Sequence, residues 1–169
     1  GKEAKTIIWE HNTHIGDASA TDMAAEGMVN VGQLLREQYS SEGVIAVGFG
    51  SYKGSVIAGR EWGDSMRKIK VPEAEQGSWE QLFHIASKGS NKLLLMNKLR
   101  EEKSLSSSIR HRAIGVVYNP EHERFGNYVP TIIPKRYDAF IFLDTTNALH
   151  PIHIQPQGNQ IPETYPFGM

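Results

Sequence analysis

A chain of 169 residues with 39% hydrophobic and 22% charged residues is long enough for one domain with a sizeable core, and no apolar run approaches the length of a membrane span. Its formal charge of −1 favours neither nucleic acid nor a membrane surface as a partner. The absence of cysteine excludes disulfides, thiolate catalysis and cysteine-bound zinc, and it agrees with a cytoplasmic location. Because the sequence opens on Gly1 and reaches a predicted strand within six residues, we expect a fragment of a longer protein.

The spacing of apolar residues and the helix-start signals predict an α/β chain. In the first half of the chain, we predict a strand at residues 6–10, a helix start at 19–22, a break near 27, a helix beginning at 30, and strands at 44–49 and 55–58. In the second half, we predict a surface loop at 59–77, a helix at 78–87, and strands at 92–96, 113–118 and 139–143. The segment at 129–133 is expected to be an edge strand or a loop, because Pro134 interrupts it. We therefore expect one α/β domain over residues 1–150, with a mostly parallel or mixed sheet and helices packed around it. An extended tail is expected at 151–169.

Two histidines directly after the first predicted strand are the most informative feature of the sequence. His11 and His14 lie three residues apart in the segment HNTH. The carboxyl end of a strand is where ligands bind in open α/β folds, and histidine serves as base, acid or metal ligand near pH 7. We expect the pair to act in a cleft without a metal, because zinc sites need at least three protein ligands.

The same segment has other interpretations. The two histidines bind a metal if Glu10, Asp17 or Asp22 supplies a further ligand. In the plainest interpretation, one histidine is structural and the other is solvated. Asn12 either bonds to neighbouring backbone and shapes the turn, or it orients a substrate.

The glycine-rich segment at 48–54 lacks the Gly-Lys-Ser/Thr ending of a phosphate-binding loop. It also lacks the spacing of a Gly-x-Ser-x-Gly nucleophile elbow, so we do not expect a serine hydrolase. If its strand pairs in parallel with the first one, Ser51 and Tyr52 lie beside the histidines as pocket residues. Asp144, at the carboxyl end of the last strand, is expected in the same cleft.

The remaining histidines considered in the sequence are assigned no chemistry. His84 is predicted on a helix surface or at the edge of the core. His111 and His122 lie in charged segments, and we expect both to be solvated.

An ordered series of motifs resembles the erythromycin esterase-like family, some of whose members are labelled succinoglycan biosynthesis proteins. The matching segments are WEHNTHIGD at 9–17, NVGQLLR at 30–36, VGFG at 47–50, VP at 71–72, GSWE at 77–80, RAIGVVY at 112–118 and YDA at 137–139. The series extends from Ile7 to about Pro151 and is more specific than any single motif. The resemblance implies an α/β core with helices around a deep cleft, and a hydrolase that opens a macrolide lactone without requiring a metal.

The resemblance also implies how the catalytic groups are distributed. In the family, a histidine of an amino-terminal segment, aided by glutamates, activates water, and His11 and His14 correspond to a second histidine cluster in the same cleft. This chain resembles the carboxyl-terminal part alone, so we expect it to be inactive without the missing amino-terminal segment. We expect His14, ahead of His11, to face the substrate and stabilise an oxyanion, while Glu10 orients an imidazole.

We thus expect part of a hydrolase that cleaves a small-molecule ester or lactone and uses no cofactor and no metal. The expected cellular role is the inactivation of a macrolide, as a response to antibiotic. The expected substrate contacts are Asn12, Asp17, Ser51, Tyr52 and Asp144. The alternatives are a non-catalytic binding or structural fragment, and a metal-dependent hydrolase using His11 and His14. An incomplete domain is also expected to expose apolar surface or to self-associate.

Overall fold

The computed structural model describes residues 4–149, so the predicted tail at 151–169 lies outside the described residues. The α-helices found there are α1 (Asn12–Ile15), α2 (Val31–Gln38), α3 (Trp79–Ser87), α4 (Met96–Leu99), α5 (Glu123–Gly126) and α6 (Ile133–Arg136). The strands are β1 (Val47–Ala58), β2 (Arg67–Val71), β3 (Lys92–Leu95), β4 (Ile109–Arg112), β5 (Tyr128–Thr131) and β6 (Ala139–Thr146). Short 3-10 helices span Ala18–Ala20, Asp22–Glu26 and Lys103–Leu105.

Four strands form a mixed sheet in the order β2-β1-β6-β3, and β4 and β5 form a separate antiparallel pair. The central strands β1 and β6 run parallel, with Val47 opposite Ala139 and Gly54 opposite Thr146. Both outer strands, β2 and β3, are antiparallel to their neighbours. This arrangement confirms the predicted α/β class. None of the helices within residues 4–149 has the length and apolar character needed to cross a membrane.

Helix α3 covers one face of this sheet and closes the main core. Phe140 and Phe142 of β6 are fully buried, and their ring centroids lie 5.4 and 5.7 Å from that of Phe83 in α3. Trp79 stacks on Phe83 and donates its indole N–H to the carbonyl oxygen of Thr131 at 2.8 Å. Because large aromatic side chains bury the most apolar area, this group anchors α3 and the β4–β5 pair to the sheet.

The opposite face of the sheet is apolar and largely open, with Trp9 near its β1 end, where the ring centroids of Trp9 and Phe49 lie 6.1 Å apart. The strand registers place Phe49, Ile141 and Leu93 side by side across β1, β6 and β3. Since alternate residues of a strand point to opposite faces, these side chains point away from α3. Leu93 is 65% exposed, and Leu95, one step along the same face, is similarly open. Sheets with parallel pairing are usually covered on both sides, so this face is unusual.

The first predicted strand is wrong. Residues 6–10 form no strand with any described residue, and Ile7 and Trp9 are almost fully exposed. Their apolar, β-branched pattern is typical of a strand, but a strand requires a partner for its backbone hydrogen bonds. No part of residues 4–149 supplies that partner.

The predicted strand at 113–118 is also wrong. Strand pairing occurs one step earlier, in β4, where Arg112 lies opposite Tyr128 of β5. Within the apolar run itself, Val117 makes an isolated bridge with Gly59. The run therefore crosses the end of β1 rather than extending a ladder.

The segment predicted as two strands forms the single strand β1. The loop predicted at 59–77 contains β2, which pairs with the second half of β1 from Gly54 opposite Val71. Only Ile69 and Val71 of β2 are buried. Its three exposed basic residues hid a two-residue periodicity in the sequence.

The helix starts predicted at 30 and 78 and the predicted break are confirmed, whereas the start predicted at 19–22 is wrong in detail, because Asp17 and Thr21 cap two 3-10 helices there and Ser19 lies inside the first. The side chain of Asn30 accepts a hydrogen bond from the backbone N–H of Gln33 at 2.9 Å, and Ser78 accepts one from Gln81 at 3.3 Å. Gly27 ends the second 3-10 helix with φ at 72°, a left-handed conformation that glycine adopts without strain.

Candidate functional site

The histidine turn, residues 10–14, lies beside the first half of β1. The side chain of His11 caps α1, because its Nδ1 accepts a hydrogen bond from the N–H of Thr13. Its Nε2 lies 2.8 Å from the carbonyl oxygen of Ile114. A carbonyl only accepts hydrogen bonds, so Nε2 carries the proton and Nδ1 is the acceptor. Both ring nitrogens of His11 are therefore engaged in holding the turn.

Burial lowers the pKa of His11 below its ordinary value, although the hydrogen bond to Ile114 acts in the opposite direction. The positive charges of His14 and Arg136 lower this pKa further. The neutral imidazole is thus favoured at neutral pH, in agreement with the hydrogen bonds of the ring. His11 is better suited to fixing the turn than to exchanging protons with a substrate.

His14 is the open histidine of the turn. Its side chain is 64% exposed, and its Nδ1 lies 3.5 Å from Oε2 of Glu10. The two histidine rings are nearly perpendicular, with centroids 6.3 Å apart. The distance to Glu10 exceeds that of a charge-assisted hydrogen bond, so the carboxylate attracts the imidazole without locking it.

Asn12 docks the turn on β1. The N–H of Phe49 donates to Oδ1 of Asn12 at 3.1 Å, and Nδ2 of Asn12 donates back to the carbonyl oxygen of Phe49. Since β1 pairs with β2 only from Gly54 onward, the edge at Phe49 is free, and the side-chain amide replaces the peptide of a neighbouring strand. Asn12 thus shapes the turn, the first of the two roles that its sequence position suggested.

A buried cation lies behind the turn. Arg136 is fully buried and donates hydrogen bonds to the carbonyl oxygen of Asn12 at 3.2 Å and to the hydroxyl of Thr131 at 2.9 Å. Tyr137 donates its hydroxyl to the same Asn12 carbonyl at 3.4 Å. Burial lowers the pKa of Arg136 and raises the pKa of Tyr137 to about 12. The Tyr137 hydroxyl therefore keeps its proton at neutral pH.

A fully buried histidine–carboxylate pair was missed in the sequence. Nδ1 of His111 lies 2.6 Å from Oε1 of Glu80, and the backbone N–H of Arg112 donates to the same carboxylate at 3.2 Å. Nε2 of His111 has no hydrogen-bond partner within residues 4–149. The prediction that His111 is solvated is wrong because β4 enters the core under α3. In the sequence, the charged neighbours Arg110 and Arg112 indicated an exposed segment.

Two of the residues expected to contact a substrate, Asp17 and Ser51, form hydrogen bonds with other parts of the chain. Asp17 caps a 3-10 helix by accepting the N–H of Ser19 at 2.9 Å, and its carboxylate lies 3.3 Å from Arg36. The carbonyl oxygen of Ser51 accepts a hydrogen bond from Arg112 at 3.1 Å. The role of Asp17 and Ser51 in substrate binding therefore stays a prediction.

Tyr52 and Asp144 come together at the other end of β1. The ring of Tyr52 stacks on His84 with centroids 3.8 Å apart, and Oδ1 of Asp144 lies 2.5 Å from Nδ1 of His84. The structure therefore divides the expected site. Glu10, His11, Asn12 and His14 share one turn, whereas Tyr52 and Asp144 surround a different histidine.

A metal-ligand set is absent from the described part of the chain. No group of three or more histidine, aspartate or glutamate side chains within residues 4–149 is placed to hold a metal ion. In the histidine turn, the hydrogen bonds of His11 leave His14 and Glu10 as the open ligands, and zinc sites need at least three protein ligands.

A model of the erythromycin esterase family matches residues 1–146, which include both the turn and the whole sheet. The chain belongs to the erythromycin esterase family. This match confirms the resemblance that the ordered motifs predicted.

Three solved structures share the erythromycin esterase-like fold. They are a Bacillus cereus protein (17% identity, TM-score 0.65), a succinoglycan biosynthesis protein (19%, 0.65), and the erythromycin esterase EreC as a histidine-to-asparagine mutant in its open conformation (16%, 0.56). Each alignment covers 85% of this chain. It spans only 33 or 34% of the other chain, about one third of its length.

Proposed function

We propose that this chain is part of an ester hydrolase of the erythromycin esterase family, and that His14 assists the cleavage of a carboxylic ester or lactone by water. The observation that carries the proposal is the contrast between the two histidines of the turn. His11 uses both ring nitrogens to hold the turn, whereas His14 is exposed beside Glu10. A fixed turn that presents one open imidazole suits a group that must meet a substrate.

In this mechanism, a general base takes a proton from water, and the water oxygen attacks the carbonyl carbon. The carbonyl oxygen becomes negatively charged, and His14 donates a hydrogen bond to it. The bond to the leaving oxygen then breaks, and the proton passes to that oxygen. The buried charge of Arg136 behind the turn favours negative charge in front of it.

The family resemblance implies that the general base belongs to a segment outside the described residues. We therefore propose that the 169-residue chain alone shows no turnover. We also propose a macrolide lactone as the first substrate to test, because one structural relative is named an erythromycin esterase. Purified chain, incubated with erythromycin and with a p-nitrophenyl ester, is expected to hydrolyse neither above the buffer rate.

The decisive measurement uses a polypeptide of full family length that contains this chain. His14→Ala is expected to lower the hydrolysis rate at least about tenfold, or about 1.4 kcal/mol, with little loss of folded protein. His122→Ala is the matched control, since His122 is exposed outside the histidine turn. Equal rates for His14→Ala and the parent protein would remove His14 from the mechanism.

Chelation separates the two hydrolase mechanisms. If histidine and carboxylate groups activate water, a chelator leaves the rate of the same polypeptide nearly unchanged. Loss of activity that returns with added zinc would instead favour the metal-dependent alternative, with His14 as a ligand.

A further inference from the structure

Arg136, the last residue of α6, is a buried cation that no described carboxylate neutralises. Its side chain is fully buried, yet it forms no ion pair within residues 4–149. Asp17 attracts it electrostatically but pairs with Arg36 at 3.3 Å. Burying a charge without a counter-ion is costly, so the hydrogen bonds of the guanidinium carry the compensation. Those hydrogen bonds connect the core to the histidine turn.

The guanidinium of Arg136 joins two acceptors that lie far apart in the sequence. One N–H donates to the carbonyl oxygen of Asn12 at 3.2 Å, and another donates to the hydroxyl of Thr131 at 2.9 Å. Thr131 is fully buried at the end of β5 and donates its own hydroxyl proton to the carbonyl oxygen of Val129 at 2.8 Å. The planar fork of arginine holds two acceptors at once in a fixed geometry. Arg136 thus ties the Asn12 carbonyl to β5.

Gly16, directly after α1, lets the arginine reach the turn. A Cβ on this residue would lie 2.6 Å from Nε of Arg136 and 2.7 Å from the ring of Tyr137. Both distances are too short for a side-chain carbon, so only glycine permits this close approach of the backbone. The arginine and the turn are therefore in direct contact at Gly16.

Helix α1 needs support from outside because it is a single turn. It has four residues, and isolated helices shorter than about 12 residues are marginal in water. The Asn12 carbonyl accepts the closing bond of the turn from the N–H of Gly16 at 3.0 Å, in addition to the bond from Arg136. A hydrogen bond from a charged donor is roughly twice as strong as a neutral one. His14 is the third residue of this turn, so its placement follows that of the Asn12 carbonyl.

We propose that Arg136 is a positioning residue of the hydrolytic site: its guanidinium fixes the Asn12 carbonyl, and through α1 it sets the orientation in which His14 meets the ester. The inference rests on the function proposed for His14. Arg136 itself does not touch the substrate, because it is fully buried behind the turn. Misplacing a reacting group by about 1 Å costs about 10²-fold in rate. The loss of Arg136 therefore slows the reaction although every group that contacts the ester remains.

The charge of Arg136 also supports the cap of α1. Burial is the main cause that lowers the pKa of His11, and three neighbouring groups lower this pKa further by charge repulsion, namely His14, Arg136 and His111. The neutral ring caps α1, because its Nδ1 accepts the N–H of Thr13. The arginine thus acts on the turn in two ways, by a hydrogen bond to its first carbonyl and by a charge beside its capping residue.

The first test uses NMR on the 169-residue chain. Arg136→Met is expected to fold, because Asn12 and Thr131 each keep another hydrogen bond. We expect the carbon-13 shift of the Asn12 carbonyl to change, the Overhauser contact between the rings of His11 and His14 to weaken, and the pKa of His11 to rise. Arg136→Lys keeps the charge but does not hold two acceptors, so it should restore the His11 pKa and only part of the ring contact.

Thr131→Val keeps the arginine and removes the hydroxyl that orients it, so it decides the question if Arg136→Met does not fold. The Asn12 carbonyl and the ring contact should change in the same direction, while the pKa of His11 stays as in the parent chain. Arg60→Met removes an exposed arginine and should leave all three signals unchanged. Parent-like signals from the Asn12 carbonyl and the ring contact in folded Arg136→Met, or in Thr131→Val, would overturn the proposal.

The second test separates positioning from binding in the polypeptide of full family length. Arg136→Met is expected to lower kcat at least about tenfold and to change KM less than about twofold, with partial recovery of kcat in Arg136→Lys. If His14→Ala lowers the rate and Arg136→Met does not, the proposal for Arg136 fails and the proposed function stands. If His14→Ala leaves the rate unchanged, the proposed function fails and this inference fails with it.

Discussion

His11 is kept neutral by its surroundings, and this gives the fold a pH dependence. Its pKa is lowered in the folded chain, mainly by burial, whereas an unfolded histidine titrates near about 6.5. As the pH falls below that value, the unfolded state binds the proton first, so the free energy of unfolding decreases. The contribution of His11 to stability is complete above about pH 6.5 and is lost toward its lower native pKa.

We expect an NMR titration of the chain to give His11 a midpoint below about 6.5. In His11→Asn, this part of the pH dependence of the unfolding free energy should disappear. A His11 midpoint at or above about 6.5 would show that the ring is not desolvated as described.

Among residues 4–149, Glu80 is the acceptor for two buried donors, the ring of His111 and the N–H of Arg112. Glu80→Ala leaves both without their partner and is expected to lower the free energy of unfolding by roughly 3–5 kcal/mol in urea denaturation. Glu121→Ala removes an exposed carboxylate and should change it by less than about 0.5 kcal/mol. Similar values for the two variants would mean that the buried pair contributes little.

At the scale of elements, α2 approaches the histidine turn through Gly32. A Cβ at this position would lie 2.0 Å from the carbonyl oxygen of Ile15, the last residue of α1. We therefore expect Gly32→Ala to lower stability by about 1–3 kcal/mol in thermal unfolding, although alanine is the better helix former. Gly126→Ala in α5 meets nothing within 4 Å and should be neutral or stabilising. Greater stability of Gly32→Ala would show that α2 does not pack closely on α1.

Helix starts were predictable from the sequence because their hydrogen bonds are local. Asn30 and Ser78 each bond to a residue three positions ahead. Strands depend on partners far along the chain, and the local pattern failed for some of them, although the segments predicted at 92–96, 129–133 and 139–143 correspond to β3, β5 and β6. Residues 6–10 have the composition of a strand but no described partner, whereas β2 pairs with β1 despite its charges. Sequence periodicity identifies the buried face of an element, not the presence of its neighbour.

At the scale of the whole molecule, the open sheet face should be detectable in solution. The row formed by Phe49, Ile141 and Leu93 presents contiguous apolar surface, which monomeric proteins seldom leave open. We expect the chain to bind a hydrophobic dye, and Leu93→Lys to lower that binding without loss of stability. Phe125→Lys, at an even more exposed apolar position in α5, should leave it unchanged.

Light scattering on the same samples shows whether copies of the chain cover this face. If they do, Leu93→Lys should shift the population toward the monomer. A clean monomer that binds no dye would contradict the assignment of this face as open apolar surface.

The sequence predicted the α/β class and the family, since ordered motifs survive even where single elements are misplaced. It predicted the candidate site only in part. Glu10, His11, Asn12 and His14 do share a turn, because they are neighbours in the chain. The expected cleft joining them to Tyr52 and Asp144 assumed that the first strand lies beside β1, and that strand is absent from the described fold.

The bond between Phe49 and Asn12 has a consequence for measuring local motion. The Phe49 amide is held by a side chain 37 positions away rather than by a neighbouring strand. When the histidine turn lifts while the sheet stays intact, this amide opens to solvent and its proton exchanges with deuterium. Its exchange rate, compared with that of the amides in the β1–β6 ladder, reports how often the segment bearing His14 detaches. The exchange rate of this one backbone proton therefore measures local unfolding at the candidate site, and the measurement needs no substrate.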